Sequence, residues 1–241
     1  MTDKLIIALD VDSVAEAREL CARLRGHAGM FKIGSQLFTA AGPAFVRELV
    51  ATGARVFLDL KFHDIPNTVA GACREAVRLG VALFNVHAAG GSGMLRRAAE
   101  ATEETAAREG LARPKLIAVT MLTSSDAAVL AEIGITDTPA EQVTRLARLA
   151  AECALDGVVA SPHEIAPVRA AVARPNFLIV TPGVRPRTTA HDDQKRVLTP
   201  AEAVRAGADY LVVGRAILNA PDPLRAAAEI SAEMEAEKDE G

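Results

Sequence analysis

Tryptophan is absent from the 241 residues and tyrosine occurs once. Single strands of nucleic acid are gripped largely by stacking on aromatic side chains, so that ligand class has almost no platform here. A basic excess is missing too: the formal net charge is −4 and the sequence pI is near 5.8. Such a chain has no general attraction for nucleic acid or an anionic membrane surface, and an anionic ligand must be held by a local site. No apolar run reaches the roughly 18 residues of a membrane span. The start, MTDKLIIALDVD, lacks the basic and apolar regions of a signal peptide, so a cytoplasmic protein is expected. Cysteine is scarce. Cys21, Cys73 and Cys153 form no CxxC pair and fall on or near apolar helix faces, which reads as reduced core thiols.

What the chain does have is alternation. Short runs of Val, Ile, Leu and Phe predict strands at Lys4–Leu9, Met30–Ile33, Arg55–Leu60, Leu83–His87, Leu116–Met121, Gly157–Ala160, Phe177–Val180 and Asp209–Val213. Segments of helical period lie between them. Ser13 can cap the first helix, and Pro43 and Pro66 can each open one at its first position. Near-continuous apolar strands alternating with helices predict a parallel sheet covered by helices. Eight such units in 241 residues fit a closed (β/α)₈ TIM barrel, α/β in class, with one domain spanning 1–241 and a frayed acidic tail from about 235.

Barrels of this kind place their chemistry at the C-terminal ends of the strands. That rule draws attention to VFLDLKFHDIPNT, from Val56 to Thr68, where Asp59, Lys61 and Asp64 bring three charges close to His63. Residues two apart on a strand share a face, so Asp59 and Lys61 should point the same way. Charges on an inner face are costly unless paired. Asp10 and Lys32 end the first two strands, Thr123 follows the fifth and Gly214-Arg215 follows the eighth. Singly, each has a bland reading: a helix cap, a satisfied ion pair, or for His63 and His87 a hydrogen-bonded structural role. Two lysines and three carboxylates converging on one mouth would perturb each other's ionisation, as active-site groups do. The same acids could instead hold a hard cation, although the interleaved lysines already neutralise them. Gly214-Arg215, at the entry to a short helix, suits a phosphate, and the polar stretch Pro182–Arg196 adds Arg185 and Gln194.

DLKFHDIPNT fits the D-x-K-x-x-D-I signature of the orotidine 5′-monophosphate decarboxylase family, which this chain resembles. ALDVD, KIG (32–34), NVHAAGG (85–91), VTMLTS (119–124), TPGVRP (181–186), DQKR (193–196) and YLVVGRAI (210–217) agree in type and order. The resemblance covers nearly the whole chain, and TPGVRP and DQKR look like the shorter bacterial form. It implies decarboxylation of orotidine 5′-monophosphate to UMP in pyrimidine synthesis, with no metal and no organic cofactor. It also implies a homodimer in which Asp64 and Thr68 reach the partner's site. By the same resemblance Lys32, Asp59, Lys61 and Asp64 form the catalytic array, with Lys61 delivering a proton to C6. Asp10 and Lys32 match ribose contacts, Thr123 and Pro182 face the pyrimidine, and Arg185, Gln194, Gly214 and Arg215 match the phosphate grip. Two alternatives remain open at this point. One is a magnesium-dependent sugar-phosphate enzyme on the same barrel, such as a 3-keto-gulonate 6-phosphate decarboxylase or hexulose phosphate synthase. The other is a non-catalytic nucleotide-binding barrel.

Overall fold

The computed structural model describes residues 2–184 and 198–235. Arg185, Gln194 and most of the Pro182–Arg196 stretch fall outside the described residues, as does the acidic tail beyond 235. Eight parallel strands close a barrel in simple chain order: β1 (Leu5–Ala8), β2 (Met30–Gly34), β3 (Val56–Phe62), β4 (Leu83–His87), β5 (Lys115–Val119), β6 (Gly157–Val159), β7 (Leu178–Pro182) and β8 (Tyr210–Val213). The β1–β8 pairing, Leu5 beside Leu211 through Ile7 beside Val213, completes the circle. The helices outside are α1 (Val14–Leu24), α2 (Ser35–Ala51), α3 (Pro66–Arg78), α4 (Gly91–Glu109), α5 (Ala127–Glu132), α6 (Pro139–Glu152), α7 (Ile165–Ala171), α8 (Pro200–Arg205), α9 (Arg215–Leu218) and α10 (Pro223–Glu235).

Local chemistry explains most boundaries. The Ser13 hydroxyl accepts from Glu16 N–H at the start of α1, and Thr138 and Thr199 each form a reciprocal capping box with the glutamate three residues on. Pro66 opens α3 as expected. At α2 the expectation was partial. The helix begins directly after β2 at Ser35, and Gly42, at φ +66°, kinks it so that Pro43 opens only its second half. Among the described residues no helix is long and apolar enough to cross a membrane.

Strand parity builds two cores. Outward residues such as Leu58, Phe84 and Val86 pack under the helices with Leu24, Val46 and Leu95. Inward residues fill the lumen: Ile6, Ala8, Met30, Phe57, Leu83, Ile117, Val180 and Val212. A parallel barrel runs all strands one way, so the residue two places beyond each lumen residue faces the C-terminal mouth. Those next positions are Asp10, Lys32, Asp59, Asn85, Val119, Pro182 and Gly214. The dry floor of the lumen thus becomes a polar rim within a single strand period. The three cysteines are all buried and free, and burial pushes the Cys21 and Cys73 thiols up to about 12, consistent with inert core groups.

Candidate active site

Lys32 sits at the centre of this rim. Its side chain is only 10% exposed, and its ammonium lies 3.0 Å from Asp10 Oδ1 and 3.5 Å from Asp59 Oδ2. Asp59 in turn accepts from Lys61 Nζ at 2.7 Å. The result is an alternating chain, Asp10–Lys32–Asp59–Lys61, running from β1 to the end of β3. Burial alone would raise the Asp59 carboxyl. The charges of Lys32 and Lys61, with hydrogen bonds from Lys61 and Asn85, outweigh it and hold the group below the usual carboxylate range. Asp59 is therefore an anion at neutral pH. Glycines make room for the array. A Cβ at Gly34 would stand 3.2 Å from Lys32 Nζ, and one at Gly214 would meet Ala8 Cβ at 3.4 Å and Asp10 Oδ2 at 3.5 Å.

Lys61 reaches its place by an irregular route. Plain alternation predicts it beside Asp59, yet the β3–β4 register shifts between Leu58 and Phe62, and Lys61 takes φ +52°. A non-glycine residue there costs on the order of 1–3 kcal/mol and needs its surroundings to hold it. Asn85 does so. Its Oδ1 accepts the Lys61 N–H at 2.8 Å and its Nδ2 donates to Asp59 Oδ1 at 2.7 Å, while the residue is fully buried. Sequence reasoning passed over Asn85. The available signal was a polar residue at the inward parity of an otherwise apolar strand, between Leu83 and His87.

A cavity of about 200 Å³ opens over the array, lined by Lys32, Asp59 and Lys61 on one side and by Met121, Thr123 and Pro182 on another. Charges confined to one wall of an otherwise apolar cavity act in a weakly screened environment. Thr123 and Pro182 thus line the cavity at the mouth of the barrel. A larger hollow of about 700 Å³ runs along the outer face of α6, but it is lined by that one helix and carries no convergent chemistry.

Asp64 and Thr68 do not join their own chain's cavity. Both are exposed, in a run from His63 to Thr68 in which Ile65 is 67% exposed. Asp64 Oδ1 accepts the Ile65 N–H, and among the described residues the carboxylate makes no ion pair. Arg215 is exposed at the start of α9, directly after Gly214, and pairs with no carboxylate among the described residues. The expected hydrogen-bonded roles of His63 and His87 take another form: the rings stack 5.3 Å apart, and His87 Nδ1 is buried without a hydrogen-bond partner. Burial first, then the charges of His63 and Lys61, hold His87 below the usual imidazole range. Among the described residues no group of three His, Cys, Asp or Glu side chains is placed to hold a metal ion.

The fold and this rim define a class: a (β/α)₈ barrel with a lysine–carboxylate chain, centred on buried Lys32, at its C-terminal mouth. Within that class, the family model described as orotidine 5′-phosphate decarboxylase / HUMPS family matches residues 3–230. The chain belongs to that family. It is 58% identical over 234 residues to the orotidine 5′-phosphate decarboxylase of Moorella thermoacetica, covering 97% of this chain and 92% of the relative. It is 56% identical over 225 residues to that of Geobacter sulfurreducens, covering 93% of each chain. The solved structure of orotidine 5′-phosphate decarboxylase from Lactobacillus acidophilus superposes with a TM-score of 0.85 at 37% identity, covering 96% of this chain and 99% of the other. An uncharacterized conserved protein from Geobacillus kaustophilus gives 0.83 at 39%, covering 95% and 99%.

Proposed function

We propose that this chain decarboxylates orotidine 5′-monophosphate to UMP in pyrimidine biosynthesis, with no metal or organic cofactor, and with Lys61 as the proton donor to C6. The observation that carries the proposal is the Asp10–Lys32–Asp59–Lys61 chain facing an apolar-walled cavity, with ion-pair distances of 2.7–3.5 Å. Family membership supports the substrate.

The chemistry has one difficulty. When the C6–carboxylate bond breaks, CO₂ leaves and the electron pair remains on C6 in the ring plane, where no carbonyl can delocalise it. Only a preorganised positive charge can stabilise that pair. Lys61 supplies it as an ammonium and then transfers a proton to C6, leaving a neutral amine that solvent reprotonates. Asp59, anionic and fixed by Lys32 and Asn85, holds the Lys61 ammonium in position.

Binding completes the reading. Asp10 and Lys32 take the ribose, Thr123 and Pro182 contact the pyrimidine, and Gly214 and Arg215 take the phosphate with Arg185 and Gln194. Phosphate contacts far from C6 raise the rate by positioning the base over Lys61. The exposed Asp64 and Thr68 are offered to a second copy of the chain, so that the working unit is a homodimer with shared sites, in the cytoplasm.

The deciding experiment follows the absorbance loss of orotidine 5′-monophosphate with a metal chelator in excess. Undiminished turnover to UMP is the expected result. Activity abolished by chelator and restored by magnesium would point to the sugar-phosphate branch of the family, and UMP binding without turnover to a nucleotide-binding barrel.

A further inference from the structure

Asn85 is a fully buried side chain hydrogen-bonded to two members of the charged array. In β4 it stands at the inward position above Leu83, and its partner across the sheet toward β5 is Ile117, which offers no polar group. The two hydrogen bonds of its amide fix its orientation. The Lys61 N–H can only donate, so Oδ1 must face it, and the Asp59 anion can only accept, so Nδ2 must face that. One rigid amide therefore spans the backbone of the proton donor and the carboxylate that holds its ammonium.

We propose that Asn85 is the positioning residue of the array, setting the direction in which the Lys61 ammonium meets C6; the inference rests on the decarboxylase reading. Two observations point beyond a merely satisfied buried amide. Lys61 carries φ +52° at a point where β3 and β4 have lost register, so its N–H has no strand partner and depends on Asn85. The same Asp59 oxygen, Oδ1, accepts from both Lys61 Nζ and Asn85 Nδ2, which fixes the carboxylate's rotation and hence the angle of the ammonium. Asn85 itself does not line the cavity, so it acts through Asp59 and Lys61 and not on the substrate.

The test pairs Asn85→Ala with Asn85→Asp, measuring kcat for orotidine 5′-monophosphate, the Kd of UMP and Tm across pH. Asn85→Ala should lower kcat about 100-fold, the scale of a ~1 Å misplacement, with UMP affinity changed less than about threefold. Asn85→Asp keeps the acceptor for Lys61 N–H but sets a carboxylate against Asp59, so the pair binds a shared proton more tightly than either acid alone. Once protonated, that carboxyl donates to Asp59 as the amide did. The other titratable or charged groups nearby are Lys61, Lys32 through Asp59, and His87 on the same strand with His63 stacked on it. Activity of Asn85→Asp should therefore rise relative to wild type as pH falls, while Asn85→Ala shows no such recovery. Wild-type turnover with Asn85→Ala within threefold of it would overturn the inference. So would kcat and UMP affinity falling together, with lower Tm and no recovery of Asn85→Asp at low pH, since that is the mark of a structural residue. A wild-type chain that leaves orotidine 5′-monophosphate unchanged would overturn the decarboxylase reading, and the inference with it.

Discussion

Lys61 combines a left-handed backbone, a lost strand partner and a largely buried counter-ion, and each of these has a cost that the proposed role would account for. Lys61→Ala should lower kcat by at least about 10⁴-fold, the product of the lower ends of proton-transfer and electrostatic contributions. On the proposed reading UMP should still bind, because its phosphate and ribose would be held by Asp10, Lys32, Gly214 and Arg215. Single-turnover decarboxylation together with UMP titration checks both halves, and near-normal kcat would remove Lys61 from its role. Asp59 and Lys61 were legible in the sequence because charged residues two apart at a strand end have few cheap explanations. Asn85 was not, because an amide carries no charge to mark its burial as costly, and its partners depend on a register shift that no residue pattern announces. His87 bears a separate prediction. Its folded pKa lies below the ordinary 6.5, so just below that pH the unfolded chain binds the proton first. Stability should therefore fall as pH drops through 6.5 toward the folded value, and the loss is complete below it. Replacing His87 by Gln should narrow the difference in Tm between about pH 7.5 and about pH 5.5. Asp59, also depressed but from the carboxylate range, loses its contribution only at much lower pH, outside that window.

At the level of elements, the two ends of the barrel use carboxylates for opposite purposes. On the N-terminal side Asp156, just before β6, accepts the Leu116 N–H and Arg113 through Oδ2, each at 2.8 Å. Asp209, just before β8, repeats the device: Oδ2 accepts the Ile179 N–H at 2.7 Å and Arg169 Nη2 at 2.5 Å. Arg169 also donates to the Gly207 and Phe177 carbonyls, tying α7 to the bottom of the barrel. Removing Asp209 strands an N–H and an arginine. Asp209→Ala should cost about 2 kcal/mol, or roughly 4–8 °C in Tm, with kcat unchanged. Thermal denaturation beside a turnover assay tests this, and a large fall in kcat at unchanged Tm would contradict it. Strand order was legible from eight apolar runs of the right length. The α2 kink was half-legible, since Gly42-Pro43 marks a break but not on which side of it the helix begins. The β3 irregularity was not legible, because neither strand contains the glycine that commonly marks such a site.

The whole molecule turns on one asymmetry within the Val56–Thr68 segment. Asp59 and Lys61, in β3, close onto their own cavity, whereas Asp64 in the following turn and Thr68 in the first turn of α3 stand exposed beside a 67%-exposed Ile65. An exposed isoleucine between a carboxylate and a hydroxyl is a poor solvent face and a good contact for a second copy. In a two-fold dimer each copy would give what it receives. Lys61→Ala and Asp64→Ala chains should each be inactive alone, but a heterodimer of the two contains one site with both residues intact and one with neither. After free exchange at equal concentrations half the dimers are mixed, so about a quarter of all sites, and of wild-type activity, should return. If Asp64 served its own chain's cavity, every site in the mixture would lack one of the two residues and mixing would restore nothing. The measurement requires proof of exchange, for instance by mass spectrometry of differently tagged subunits. Exchange without recovery would confine the strand-three loop to a single barrel; recovery near a quarter would make that loop both catalytic wall and dimer interface.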